Sequence, residues 1–190
     1  MNVETFRADT VLAAAVEGEQ WALTALFRAY QPSVLRYLRA QERNVADDLA
    51  SDVWVSVARR LHDFVGDERG FRAWLFTIAR HRLLEYRRNM ARRRTDPVAH
   101  DGLDGPGDNG HTADPAELVI EQLSAQQAVD LLVADLTQTQ AEAVMLRVVA
   151  GLDVAEVARI MDRTPGSVRV LCHRALQRLA HRFSPEVLAS

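Results

Sequence analysis

The segment FRAWLFTIARHRLLEYRRNMARRR, residues 71–94, constrains the fold more than any other, because it joins an apolar helical stripe to a dense run of arginines. Phe71, Leu75, Ile78 and Ala79 recur at helical spacing with Trp74 beside them, so one face is suited to burial. The other face is basic. Arg72, Arg80, Arg82, Arg87, Arg88, Arg92, Arg93 and Arg94 are opposed by Glu85 alone, with Phe76 and Tyr86 interleaved among them. As a helix the segment is about 35 Å long at about 1.5 Å per residue, comparable to one turn of duplex DNA. Solvated helix faces normally mix both signs of charge; this one does not, which points to a polyanion as its partner.

The basic charge is segregated rather than general, since the 190-residue chain carries a net charge of −3. That balance argues against a uniformly basic DNA coat. Its positive side chains are all arginine, whose planar fork matches phosphate geometry. A hydrophobic fraction of 48% is enough for packed cores, and Ala and Leu are abundant while Gly and Pro concentrate in one place, so an all-α class is expected over a sheet-rich one. The single Cys172 can build neither an internal disulfide nor a zinc site, and no metal or cofactor is expected. With no apolar run long enough to span a bilayer and no apolar export segment, direct membrane insertion is not expected and the cytoplasm is the expected location.

Ahead of the basic segment, apolar residues from Val11 to Leu38 recur every three or four positions and predict two helices divided near Gly18, with Pro32 expected to start a turn or kink the second. The next stretch, NVADDLASDVWVSVARRLHDF, opens with Asp47 and Asp48 and closes with Arg59 and Arg60, the charge order a helix dipole favours. Leu49, Val53, Val57 and Leu61 make its expected buried stripe. Asp48, Ser51, Asp52 and Val55 are left on another face, either plain solvent surface or an acidic docking strip, and spacing alone favours solvent surface. VGDERG then reads as a short loop.

Between Thr95 and Ala116, glycines and prolines alternate with Asp96, Asp101, Asp104, Asp108 and Asp114, the composition of a flexible acidic linker. It divides the chain into two small helical domains, residues 1–94 and 117–190. In the second, helical pattern resumes at Glu117, and Thr137 with Gln140 and Asp153 with Glu156 fit capping boxes on either side of a stop at Gly151. Thr164 then caps a helix with Pro165 at its first position, running through VRVLCHRALQRLAHRF. A short helix, a tight turn and a longer basic helix make the pattern of a helix-turn-helix, with Val168, Ala175 and Leu179 expected to face its core.

Together the two halves resemble a sigma factor of the extracytoplasmic-function group, over nearly the whole chain. DDLASDVWVSVARRL is similar to the family's polymerase-binding helix, FRAWLFTIARHRLLEYRR to its promoter-melting and minus-ten-reading helix, and GLDVAEVARIMDRTPGSVRVLCHRAL to its minus-thirty-five helix-turn-helix. The resemblance implies that Asp47, Asp48, Leu49 and Asp52 dock on core RNA polymerase, which reverses the preference for a plain solvent face. It implies that the loop from Asp63 to Gly70, with Phe64, Gly66 and Asp67, captures a base flipped from the melted non-template strand. Arg80, Arg87 and Arg88 are implied to hold phosphates and His81 to line the base pocket, whereas Trp74 is expected in the core. Thr164, Ser167, Arg169, Val170 and Arg174 are implied to read the duplex promoter.

His81 stands where the family often has Asn, Leu171 where Arg is frequent, and Cys172 where an apolar core residue is usual, so promoter preference is expected to depart from the common one. An anti-sigma factor is an expected partner, with regulation in trans because no long extension follows Phe183. The alternative reading is a helix-turn-helix repressor or activator with a separate helical sensor domain. Neither involves a small-molecule substrate, and no catalytic constellation is present: the histidines are scattered, and no phosphate loop or nucleophile motif occurs.

Overall fold

The computed structural model describes residues 3–95 and 133–182, with side chains over 8–93 and 133–182. The expected linker beyond Thr95, and the helical pattern from Glu117 to Leu132, lie outside the described residues. Helices α1 (Val3–Val16) and α2 (Gln20–Arg39) divide at Gly18 as expected. Gly18 adopts φ +93°, so its N–H returns to the Ala15 carbonyl at 3.1 Å and the Glu19 N–H to Ala14 at 3.0 Å. This is a Schellman stop, which needs the left-handed conformation glycine supplies. Pro32 does not start a turn; α2 runs through it. Val34, Tyr37 and Leu38, just beyond it, are fully buried, and that burial outweighs the cost of about 3 kcal/mol for an interior proline.

A 3-10 turn at Arg43–Val45 leads into α3 (Ala46–Arg60), whose stripe Leu49, Val53 and Val57 is buried together with Leu61 just beyond it. Helix α4 (Glu68–Thr95) starts inside the expected loop. The Asp67 carboxylate accepts the Gly70 N–H at 2.8 Å and so caps the first turn, drawing Gly70 into the helix. Phe71, Leu75, Ile78 and Ala79 are buried as the spacing predicts. Phe76 is also fully buried, edge-on to Tyr37 with ring centroids 5.7 Å apart, and not interleaved on the basic surface. Position 76 lies one residue from Leu75 and Leu83 falls two turns later, which widens the apolar stripe beyond the narrow one expected.

The second domain packs α5 (Gln138–Val148), α6 (Val154–Met161) and α7 (Pro165–Arg182) around Leu146, Leu152, Val157 and Val168. Both expected capping boxes form. Between α6 and α7 the chain turns at Asp162, a non-glycine residue at φ +53°, where the Arg163 N–H returns to the Ala158 carbonyl at 2.9 Å. A second Schellman stop thus sets the angle of the helix-turn-helix. The described residues contain helices and turns throughout, and the buried side chains of the two domains form one continuous apolar cluster.

Candidate nucleic-acid interface

Along α4 the expected basic face is not uniformly open. Arg80 and Arg87, seven residues apart, share one side of the helix and are mostly covered. Arg80 Nε donates to Glu142 Oε1 of α5 at 2.8 Å, its side chain 17% exposed and the carboxylate's 9%. The Tyr37 hydroxyl donates to the same Oε1 at 3.3 Å, and burial, with Glu142 next, pushes its pKa well up. Arg87 Nε donates to Glu42 at 2.8 Å, and the Gln138 side-chain oxygen, turned toward the guanidinium, accepts from Nη2 at 2.6 Å. Arg82 meets Glu85 at 2.8 Å and also donates to Ser56. By contrast His81 and Arg88, again seven apart, are exposed on the neighbouring side. Residues distant in sequence therefore supply carboxylates that the local pattern around Glu85 lacks.

The loop ahead of α4 is braced by aromatic packing. Phe64 lies 5.3 Å from Trp74 and 5.8 Å from Phe71, so Trp74 is half-buried in an aromatic cluster at the loop base, where it packs against the core and is not a free platform. Asp63, Gly66 and Asp67 are exposed. A Cβ on Gly66 would stand 3.0 Å from the Phe64 ring, so glycine lets the loop fold over that side chain. Between the loop and α1 runs an open groove of about 570 Å³. Its far wall is α1, where Asp9 accepts the Glu68 N–H at 3.0 Å and so ties the N-terminal helix to the loop. Sequence spacing gave no sign of Asp9, because the contact spans 59 positions.

On α7, the residues implied to read duplex DNA stand together. Thr164 Oγ1 accepts the Ser167 N–H at 3.2 Å, capping the helix, and Thr164, Ser167, Arg169, Val170 and Arg174 are all exposed. Val168 and Ala175 are fully buried and Leu179 is buried, as expected. Leu171 and Cys172 are half-buried, and burial raises the thiol pKa. A groove of about 790 Å³ beside this face is lined by Arg163, Arg174, Arg178 and Arg182, with Asp135 paired to Arg182 within it.

Helix α3 presents Asp47, Asp48 and Asp52 to solvent, with Asp47 paired to Arg39 at 2.9 Å. Leu49 is buried at 5% exposure and faces the core, so the exposed part of this set is acidic alone. Among the described residues no cluster suited to a metal ion occurs, and no helix is long and apolar enough to cross a membrane.

The Sigma-70 region 2 family matches residues 26–94, and the Sigma-70, region 4 family matches residues 126–179. The chain is 35% identical to the ECF RNA polymerase sigma factor SigD of Mycobacterium tuberculosis, over 94% of this chain and 85% of that protein. It is 34% identical to the ECF RNA polymerase sigma factor ShbA of Streptomyces griseus, over 87% and 89% of the two chains. In fold it is similar to the sigma factor RpoE of Bartonella quintana, solved with the anti-sigma factor NepR, at a TM-score of 0.57, 20% identity and coverage of 83% and 94%. The two sigma regions in this order, with relatives matched over most of their length, show that the chain belongs to the extracytoplasmic-function sigma factors.

Proposed function

We propose that this chain is an alternative sigma factor that binds core RNA polymerase, directs it to a two-part promoter and helps open the DNA, without itself catalysing a reaction. The observation that carries this reading is the pairing of matched region 2 and region 4 segments with an exposed reading face on α7. Region 4 would read the upstream element as duplex through Ser167, Arg169, Val170 and Arg174, presented from a helix whose start is fixed by Thr164 and Pro165. Region 2 would hold melted non-template strand, with Phe64, Gly66 and His81 around the flipped base and Arg80, Arg87 and Arg88 on phosphates. Asp47, Asp48 and Asp52 would dock on the polymerase, and domain boundaries near residues 94 and 117 fit these assignments. An anti-sigma factor, of which the RpoE complex is an example, fits as a regulator, and work on chromosomal promoters fits a cytoplasmic location.

The deciding experiment is in vitro transcription with core polymerase on duplex and pre-melted templates, with the upstream element native or scrambled. Sigma activity predicts initiation that needs both polymerase and promoter. A chain that binds duplex DNA but does not bind core polymerase is a repressor or activator instead, and overturns the reading.

A further inference from the structure

Helix α4 begins at Glu68, where the outer part of the proposed base-capture loop ends, and that residue is held from three helices. Its backbone N–H, one of the amides that a helix start leaves without an intrahelical acceptor, donates to Asp9 of α1 at 3.0 Å. Its carboxylate, 20% exposed, accepts from the Tyr30 hydroxyl of α2 and from Arg72 Nη2 one turn further along α4. Burial first, then the hydrogen bond to Glu68, pushes the Tyr30 pKa well up, so the hydroxyl keeps the proton it donates. The Tyr30 ring stands edge-on to Phe71 at 5.4 Å, and Phe71 in turn meets the Phe64 ring of the loop. Val65, three residues before Glu68, is 94% exposed, so the outer part of the loop takes its direction from how its ends are fixed.

We propose that Asp9 and Tyr30 are positioning residues for base capture: by fixing Glu68 they set the orientation of the loop from Asp63 to Asp67, and with it which base the loop accepts. That the loop captures a base rests on the functional reading above. Neither residue needs to touch DNA. A pocket discriminates between bases only as sharply as its walls are held, since a wall free to shift re-forms contacts to the wrong base and narrows the difference between right and wrong. Asp9 and Tyr30, 59 and 38 positions from Glu68, hold the end of the loop to the folded body. A local cap cannot do this, because the Asp67 carboxylate, bonded to the Gly70 N–H at 2.8 Å, moves with the loop it caps. The two anchors are also separable: Asp9 holds the backbone through an exposed carboxylate, whereas Tyr30 holds the side chain from a half-buried position.

The test assembles the full chain with core polymerase, selects bound strands from a randomised single-strand pool, and sequences them. Fluorescence anisotropy then measures affinity for labelled strands that differ only at the most strongly selected base. Asp9→Ala, and Tyr30→Phe, which keeps the ring against Phe71, should each lower the preference for that base by about 5-fold, the size of losing one helix-cap hydrogen bond. Asp9→Asn, which keeps an acceptor oxygen for the Glu68 N–H, should restore it. Amide exchange across residues 61–70 of the free chain, with neither DNA nor polymerase present, should quicken by a similar factor of about 5 in Asp9→Ala and return to normal in Asp9→Asn. Unchanged exchange in Asp9→Ala overturns the anchor. Equal weakening for every base overturns the positioning role, since that is what a purely structural contact would give. A wild-type preference that both variants leave intact overturns the proposal and leaves the functional reading standing. A wild-type chain that selects no base at any position removes the reading of the loop as a capture site, and the proposal with it.

Discussion

Helices α4 and α7 both carry arginines and apolar residues along a long helix, yet the same residue types mean different things in each. On α4, Arg80, Arg82 and Arg87 are half-buried and ion-paired, and Phe76, one turn before Arg80, is fully enclosed. On α7, Arg169, Arg174 and Arg178 are exposed, and so is Leu176 at 58%. The difference arises from what lies opposite. Helix α4 is covered by neighbours within its own domain and by α5 and α6, whereas α7 has its core on one stripe only. A charged helix face in a sequence therefore reports a capacity to bind anions, and the fold decides whether a protein carboxylate already fills it.

The largest expected effect tests the apolar half of this contrast. Phe76→Ala should destabilise the chain by about 3–5 kcal/mol, as for other buried aromatic truncations, whereas Leu176→Ala should stay within about 0.5 kcal/mol. Urea unfolding followed by circular dichroism measures both, and equal losses would erase the distinction between the two helices.

Next in size are the polar counterparts. Arg169→Ala should remove about 1–3 kcal/mol of discrimination for the upstream element and leave transcription from a pre-melted template unchanged. Arg80→Ala should show the reverse template dependence. Equal loss on native and scrambled upstream elements for Arg169→Ala would take the reading role away from α7. Polymerase docking is separable from both: Asp48→Arg with Asp52→Arg should abolish core binding with helix content intact, because the reversed charges lie on an exposed face.

A pH effect of smaller size sits at the start of α6. The Glu156 N–H bonded to Asp153 holds that carboxyl below its usual 3.8, with Arg69 contributing further. A depressed folded pKa means that the unfolded chain takes up the proton first as the solution is acidified. The contribution is therefore complete above about pH 5 and disappears as pH falls through the lowered folded value. Asp153→Asn should flatten the dependence of the urea midpoint between pH 5 and pH 3; an unaltered slope would show that the cap does not titrate. The smallest change expected is a gain of up to about 1 kcal/mol from Asp162→Gly, which relieves a left-handed non-glycine residue.

Local signals were legible and long-range pairing was not. The capping boxes at Thr137 and Asp153, the Gly18 stop and the Thr164–Pro165 start all depend on residues within a few positions, and each forms where its side chains dictate. The inward set Val168, Ala175 and Leu179 follows from helical period alone. Pro32 misled because tertiary burial outweighed a local preference, and Asp67 moved the start of α4 through a cap hidden inside an apparent loop. The partners of Arg80 and Arg69 stand 62 and 84 to 87 positions away, a separation at which no periodicity carries information.

Glu156 has one oxygen on the Asp153 N–H, at 2.7 Å, and the other on Arg69. The first bond is local to α6 and does not depend on where the other domain lies. Loss of the Arg69 contact would free one carboxylate oxygen for water and leave the helix start intact. The start of α6 is held by bonds within the helix-turn-helix itself, so the entropy of ordering it need not be met again when that unit meets DNA.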